Sequence, residues 1–239
     1  MAANRLLINL PLILAVFLQA ALWYSSRHIK PDLAILPEVP GKYEVKALAL
    51  GDDEFYFRAL GNRLQMSGDT FGRSTPFKDY DYVKLAEWFR VLDSLDGKSN
   101  YIPSLAAYYF SLTQRHSDTI YVINYLQETA AKDPERKWWW LVQASIIAKY
   151  KLGDKNLALK IAKKLENIPG DIPLWARQLP AFYLADMGEK EQAIIIIRDL
   201  LKNYKNLPPD ELNFMYYFVK DRLKMIIPEE LQNAHREER

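Results

Sequence analysis

At 239 residues and 27.9 kDa the chain can hold one or two modest domains with a real core, and is too short for a large multidomain enzyme. Hydrophobic residues at 49% and charged residues at 26% exclude global disorder, and nine glycines with six tryptophans favour long packed helices over a β-rich or loop-rich fold. The net charge of +2 is uneven: Arg5, Arg27 and Lys30 give residues 1–30 a charge of +3, leaving −1 on a body that lacks the basic stripe of a nucleic-acid binder.

Residues 1–5 read as a short N-terminal tail, and 6–26 as a transmembrane anchor. Leu6 to Tyr24 carries no charge over nineteen residues, close to the roughly 20 needed to cross a hydrocarbon core of about 30 Å. Asn9, Pro11 and Gln19 weaken the run without disqualifying it. Trp23 and Tyr24 stand where an interfacial aromatic belt would lie, followed by Arg27, His28 and Lys30. A cleaved signal peptide and a buried soluble helix are the rival readings. The run is longer than a signal-peptide core of about 7–15 residues, ends in bulky Trp-Tyr rather than small-x-small, and has no amphipathic face. Positive charge flanks both ends, so orientation is weakly encoded. The short N-terminal tail favours a single-pass protein of a bacterial inner membrane with its large domain on the periplasmic side.

Residues 27–52 contain Pro31, Pro37 and Pro40 and read as an extended spacer. Gly51-Asp52-Asp53-Glu54 then starts a helix, with acids in the first turn complementing its positive end. Hydrophobic periodicity predicts helices over 53–66, 81–96, 102–115, 118–132, 136–151, 155–167, 172–186, 190–204 and 210–226. The last is expected to cap the array with Leu212, Met215, Val219, Leu223 and Ile226 on one face, and 227–239 reads as a charged tail.

The breaks between these helices recur. Gly153 and Gly188, Ala158 and Ala193, Trp140 and Trp175, and Pro134 and Pro169 are each 35 residues apart. In DEFYFRALGNRLQMSGD, residues Phe57, Leu60, Gly61, Leu64, Gly68 and Asp69 fall at the spacing W-x2-L-G-x2-Y-x3-GD. A period near 34 residues built on helix–turn–helix units resembles the tetratricopeptide-repeat (TPR) family. The resemblance covers roughly residues 53–205. It implies an all-α, right-handed solenoid of helical hairpins: about four units and a capping helix, together residues 53–226, behind the N-terminal helix. Unit one departs by a swollen turn, TFGRSTPFKDYDY at 70–82, where Arg73 with Asp79 and Asp81 could tie the loop down or Tyr80 and Tyr82 could face a partner. Unit two departs by placing Ile123 where the family has a small residue.

Catalytic chemistry finds little support. With no cysteine, disulfides, thiolate nucleophiles, Fe–S clusters and Cys-ligated zinc are excluded. His28, His116 and His235 make no metal spacing, and no phosphate-binding or nucleophile-elbow motif occurs. The pairs Asp52/Asp53, Asp79/Asp81 and Asp93/Asp96 sit at helix ends, where capping accounts for them. The expectation is a non-enzyme without cofactor.

Aromatic clusters carry the functional signal. Adjacent helical residues point about 100° apart, so Trp138, Trp139 and Trp140 cannot all face one core. The TPR resemblance implies a concave groove lined by the first helix of each unit: Phe55, Arg58, Asn62 and Gln65 in unit one, Tyr108, Arg115 and His116 in unit two, Trp140, Gln143 and Tyr150 in unit three, and Trp175, Gln178 and Phe182 in unit four. Aromatics, amides and a few arginines suit an extended peptide or protein partner. The leading expectation is a membrane-anchored interaction scaffold or assembly factor. The alternatives are a permanent accessory subunit of a membrane complex and an accessory protein acting on envelope polymers.

Overall fold

The computed structural model describes residues 2–28, 34–70, 72–204, 207–229 and 231–232. Lys30 and Pro31, the Arg73 side chain, and residues 233–239 with His235 lie outside what is described. The chain divides into two units, Met1–Pro37 and Glu38–Arg239.

The first unit holds α1 (Ala2–Ser26). Its window Asn9–Ser26 has a mean hydropathy of 1.3 and none of it is buried within the chain, so α1 is long and apolar enough to cross a membrane. At its end the Arg27 guanidinium lies 4.0 Å from the centroid of the Tyr24 ring.

In the second unit the described residues are mainly helical. The expectation of an extended spacer over 27–52 is corrected by α2 (Lys42–Leu48). Pro31, Pro37 and Pro40 all precede its first turn, so none interrupts its hydrogen bonds. The Glu44 carboxylate accepts from the Gly41 amide at 3.2 Å, and Val45 and Ala49 are buried where α2 packs on α4 (Tyr82–Leu95). Next comes α3 (Asp53–Gln65), capped by Asp52 accepting from the Phe55 amide at 2.9 Å.

The loop between α3 and α4 is more ordered than its sequence suggests. Asp69–Thr70 pairs antiparallel with Arg73–Ser74 in a two-residue ladder. Tyr80 and Tyr82, read as possible exposed contacts, are both buried. The Tyr80 hydroxyl donates to the Ser67 carbonyl, and that of Tyr82 to the Phe110 carbonyl at 2.6 Å, so they pin the loop rather than present it. Asp81 serves as the cap of α4, accepting from the Val83 and Lys84 amides at 3.0 Å each.

The following helices are α5 (Tyr101–Ser104), α6 (Thr119–Lys132), α7 (Pro134–Ile147), α8 (Lys155–Ala162), α9 (Leu174–Met187), α10 (Lys190–Asn203) and α11 (Pro209–Tyr217). The helix expected over 102–115 is corrected: α5 widens into a π-turn at Leu105–Tyr109, tightens to a 3-10 turn at Phe110–Leu112, and stops there. α7 and α11 also end in π-turns, at Ala148–Leu152 and Phe218–Leu223. The last helix therefore ends before Ile226, which is 89% exposed; its expected stripe survives only in Leu212, Met215, Val219 and Leu223, all buried.

Neighbours in sequence pack together: α3 on α4, α6 on α7, α7 on α8, α8 on α9, and α9 on α10. Gly153 and Gly188 close α7 and α9 with φ of 78° and 87°, a left-handed conformation that costs glycine little. Ala158 and Ala193 are fully buried, as close helix approach requires. At Gly61 a Cβ would lie 2.6 Å from Cε1 of Tyr101, so only glycine lets that ring rest against α3.

Three buried charges hold the connections. The Asp93 carboxylate accepts from Tyr125 Oη at 2.9 Å, Thr129 Oγ1 at 3.1 Å and Lys132 Nζ at 3.3 Å, which joins α4 to α6. Lys137 donates to the carbonyls of Gly97 and Ser99. Arg177 donates to the carbonyls of Leu165, Glu166, Ile168 and Gly170, satisfying the end of the α8 region that no helix continues to serve. None of the three roles has a sequence motif.

Candidate functional site: an aromatic face on α7, α9 and α11

Helix periodicity places Trp139, Ile146 and Tyr150 along one stripe of the α7 segment, and Trp175, Leu179, Phe182 and Asp186 along one stripe of α9. The structure brings these stripes side by side. Trp138, Trp139 and Trp175 pack edge to face in a triad, with ring centroids 5.8 to 6.0 Å apart. The Trp139 indole donates to the Tyr108 hydroxyl at 2.8 Å, which extends the aromatic face to the α5 π-turn. Trp139 and Trp175 are each 36% exposed, and Tyr108 is half exposed.

The expectation that Trp140 lines the surface is corrected. Trp140 is only 4% exposed, and its indole donates to Asn100 Oδ1 at 3.0 Å. The cause lies at the end of α7. Counting back 13 residues from Gly153 and Gly188 aligns Trp140 with Trp175. The π-turn at 148–152 inserts an extra residue into that count, because its i→i+5 bonds hold one more residue per turn. Upstream of it the counterpart of Trp175 is Trp139, which the equal exposures of the two rings bear out. The amides, also expected at the surface, are corrected as well: Gln143 and Gln178 are buried, and Gln178 Nε2 donates to Glu211 at 3.1 Å instead of facing outward.

Farther along the stripes the face deepens into a pocket of about 450 Å³. Ile146, Leu179, Phe182 and Phe214 form apolar walls, and Tyr150 and Tyr217 stand exposed at its edge. Phe182, an expected contact, lies here, its ring centroid 5.6 Å from that of Phe214 and 4.9 Å from that of Phe218. At one side Asp186 joins three helical segments: it accepts from Lys149 beyond the end of α7 and from Arg222 in the π-turn after α11, the latter at 2.9 Å. Burial alone would raise the Asp186 carboxyl, but the two cationic donors outweigh it and hold the group below the usual carboxylate range. Burial alone would lower Lys149, and its bond to Asp186 raises it instead, so the pair is charged at neutral pH. The Lys149 ammonium also lies 4.7 Å from the ring centroids of both Tyr150 and Tyr183.

The other expected contacts are placed apart from this face. Arg58 is exposed but ion-paired with Glu54 on its own helix, Phe55 and Asn62 are exposed, and Gln65 accepts from the Tyr101 hydroxyl at 2.8 Å. Arg115 was expected on a helix; it lies past the end of the α5 segment and pairs with Asp118 at 3.5 Å, with exposed His116 beside it. Residues that sequence reading missed are Lys149, Asp186, Phe214, Tyr217 and Arg222. The only signal for them was their helical spacing from predicted positions, since Asp186 lies eleven residues from Trp175 on the same stripe.

Among the described residues no group of three His, Asp or Glu side chains could hold a metal ion. The chain matches no family model, no curated protein and no solved structure at significant similarity.

Proposed function

We propose that this chain is a non-catalytic, membrane-anchored interaction scaffold or assembly factor. Its helical body, a TPR-like solenoid, receives a partner protein on the face built by α7, α9 and α11. The anchor is α1, making a single pass of a bacterial inner membrane, with the body on the periplasmic side. The observation that carries this reading is the exposed Trp139–Trp175 pair running into an aromatic pocket. Tryptophan and tyrosine are the side chains most often found at binding hot spots, and a contiguous exposed aromatic face on an otherwise packed helical body marks an interaction surface. The recurrent left-handed glycines at 153 and 188 and the sequential packing of helix hairpins support the TPR-like part of the reading. The exposed apolar surface along α1 supports the anchor.

The test uses the full-length protein purified in detergent from its native membrane. Wild type and the double variant Trp139→Ala/Trp175→Ala are compared for co-purifying protein, with melting temperature as the check on folding. Each truncation is expected to weaken the partner by roughly 1–3 kcal/mol, so the double variant loses it. A partner retained at full yield by a folded double variant refutes this face. A partner that stays at fixed stoichiometry through purification of the wild type assigns the chain to a permanent complex. Intact-mass measurement tests the anchor: a mature N-terminus beyond Tyr24 refutes it.

A further inference from the structure

The pocket carries charge that an aromatic face by itself does not require. Lys149 and Arg222 contribute two positive charges and Asp186 one negative, leaving one net positive charge among them. The two cations are not equivalent. The Lys149 side chain is only 10% exposed and is engaged by Asp186 and by two tyrosine rings. The Arg222 side chain is 63% exposed, and Asp186 takes one of the five N–H donors that a guanidinium carries. A fork of donors at the mouth of an apolar pocket fits a carboxylate, which a guanidinium can hold through two parallel bonds. Among the described lining residues, a cationic ligand would meet Lys149 and Arg222 with the one carboxylate, Asp186, already shared between them. A doubly charged phosphate would find there one cation, Arg222, that is not already enclosed, too few to compensate it. The volume of about 450 Å³ lies within the range of ordinary ligand pockets, and the walls of Ile146, Leu179, Phe182 and Phe214 demand an apolar body.

We propose that this pocket selects an acidic–aromatic element of the partner protein, a bulky apolar side chain laid against the packed Phe182 and Phe214 rings with a neighbouring carboxylate on Arg222. This rests on the reading of the α7–α9–α11 face as the recognition surface, and adds to it the chemistry of what is recognised. Arg222 sets specificity, and the aromatic walls supply affinity to any sufficiently large apolar side chain.

Fluorescein-labelled eight-residue peptides in a Gly/Ser background, with Glu-Phe, Gln-Phe or Glu-Ala at the centre, test the proposal by anisotropy on the full chain in detergent micelles. Glu-Phe is expected to bind about tenfold tighter than Gln-Phe, the scale of one charge-assisted hydrogen-bond pair, and Glu-Ala weaker than both. Rising salt weakens Glu-Phe selectively. Arg222→Gln removes the preference for Glu, bringing Glu-Phe to the level of Gln-Phe in the same variant, and Arg222→Lys, which keeps the charge without the fork, restores part of it. Phe182→Ala weakens Glu-Phe and Gln-Phe alike. Circular dichroism and melting temperature establish that each variant is folded. Equal binding of Glu-Phe and Gln-Phe, a preference that survives Arg222→Gln, or no binding of any probe to the wild type overturns the proposal. The co-purified partner separates this failure from that of the face itself. A partner lost by Trp139→Ala/Trp175→Ala but kept by Arg222→Gln leaves the face standing and removes the acidic element; a partner kept by both removes the two together.

Discussion

Removing the carboxylate of Asp93 should reverse the sign of a second substitution at Tyr125. The Asp93 side chain is nearly fully buried and accepts from two hydroxyls, Tyr125 Oη and Thr129 Oγ1, on residues without measurable exposure. In the wild type, Tyr125→Phe deletes a hydrogen bond to a charged acceptor, a loss of about 1.5–3 kcal/mol. Asp93→Ala orphans both buried hydroxyls, at about 1–3 kcal/mol each, so its total lies near 2–6 kcal/mol. In that background Tyr125→Phe removes one of the orphans. It is therefore expected to be neutral or to stabilise by about 1 kcal/mol, giving a coupling of about 1.5–4 kcal/mol between the two sites. Burial and then the neighbouring Asp93 push the Tyr125 hydroxyl well above its ordinary pKa, so it is a neutral donor throughout the accessible range. Urea unfolding of the four proteins of the cycle, in detergent and followed by circular dichroism, measures the coupling. Additivity within about 0.5 kcal/mol would refute the reasoning, because it would mean that the hydroxyl finds another partner once Asp93 is gone.

Gly61→Ala places a Cβ 2.6 Å from the Tyr101 ring and is expected to cost about 1–3 kcal/mol by overpacking, read as a lower urea midpoint; Tyr101→Ala in the same chain should recover part of it. Stability should also fall at alkaline pH. Burial first, then Tyr109 and Asp69, push the Tyr80 hydroxyl up to about 12, above the value near 10 of an unfolded tyrosine. The folded state therefore holds this proton longer than the unfolded state does. Its contribution is complete below pH 10 and is lost as pH rises towards 12. Tyr82 and Tyr125 shift in the same direction, so the difference between wild type and Tyr80→Phe across that window isolates Tyr80, and parallel pH profiles for the two proteins would disprove its part.

Much of the helical plan was written in short stretches of sequence. Asp52, Asp81 and Asp154 each cap the helix that follows, Gly153 and Gly188 end theirs in the left-handed conformation, and the apolar periodicity between such signals locates α3, α4 and α6 to α10 within a few residues. The charge-free run of α1 needed only its own length. These signals act through capping bonds, φ restrictions and side-chain period, all of which operate within about one turn of chain. They also misled where a local rule was extended too far. Prolines at 31, 37 and 40 said nothing about 42–48, where a short helix forms because Val45 and Ala49 have a helix to pack on. The aromatic residues were evident in the sequence, but the face each presents was not.

That choice belonged to tertiary structure, and the π-turns show why. One extra residue in a turn rotates everything upstream by about 100° relative to everything downstream. At 148–152 this exchanges Trp140 for Trp139 at the surface. A straight helix and a helix with one such turn have the same composition and nearly the same periodicity, so no local pattern separates them. The preference is decided by what each ring meets: Asn100 for Trp140, Tyr108 for Trp139, Trp138 and Trp139 for Trp175. The same holds for Asp186, whose partners lie 37 residues before it and 36 after. The sequence by itself determined where most of the helices lie and that one of them could enter a membrane. Which residues share a surface depended on the phase of each helix against neighbours far along the chain, and that phase is set by burial and pairing energies that exist only once the helices have met.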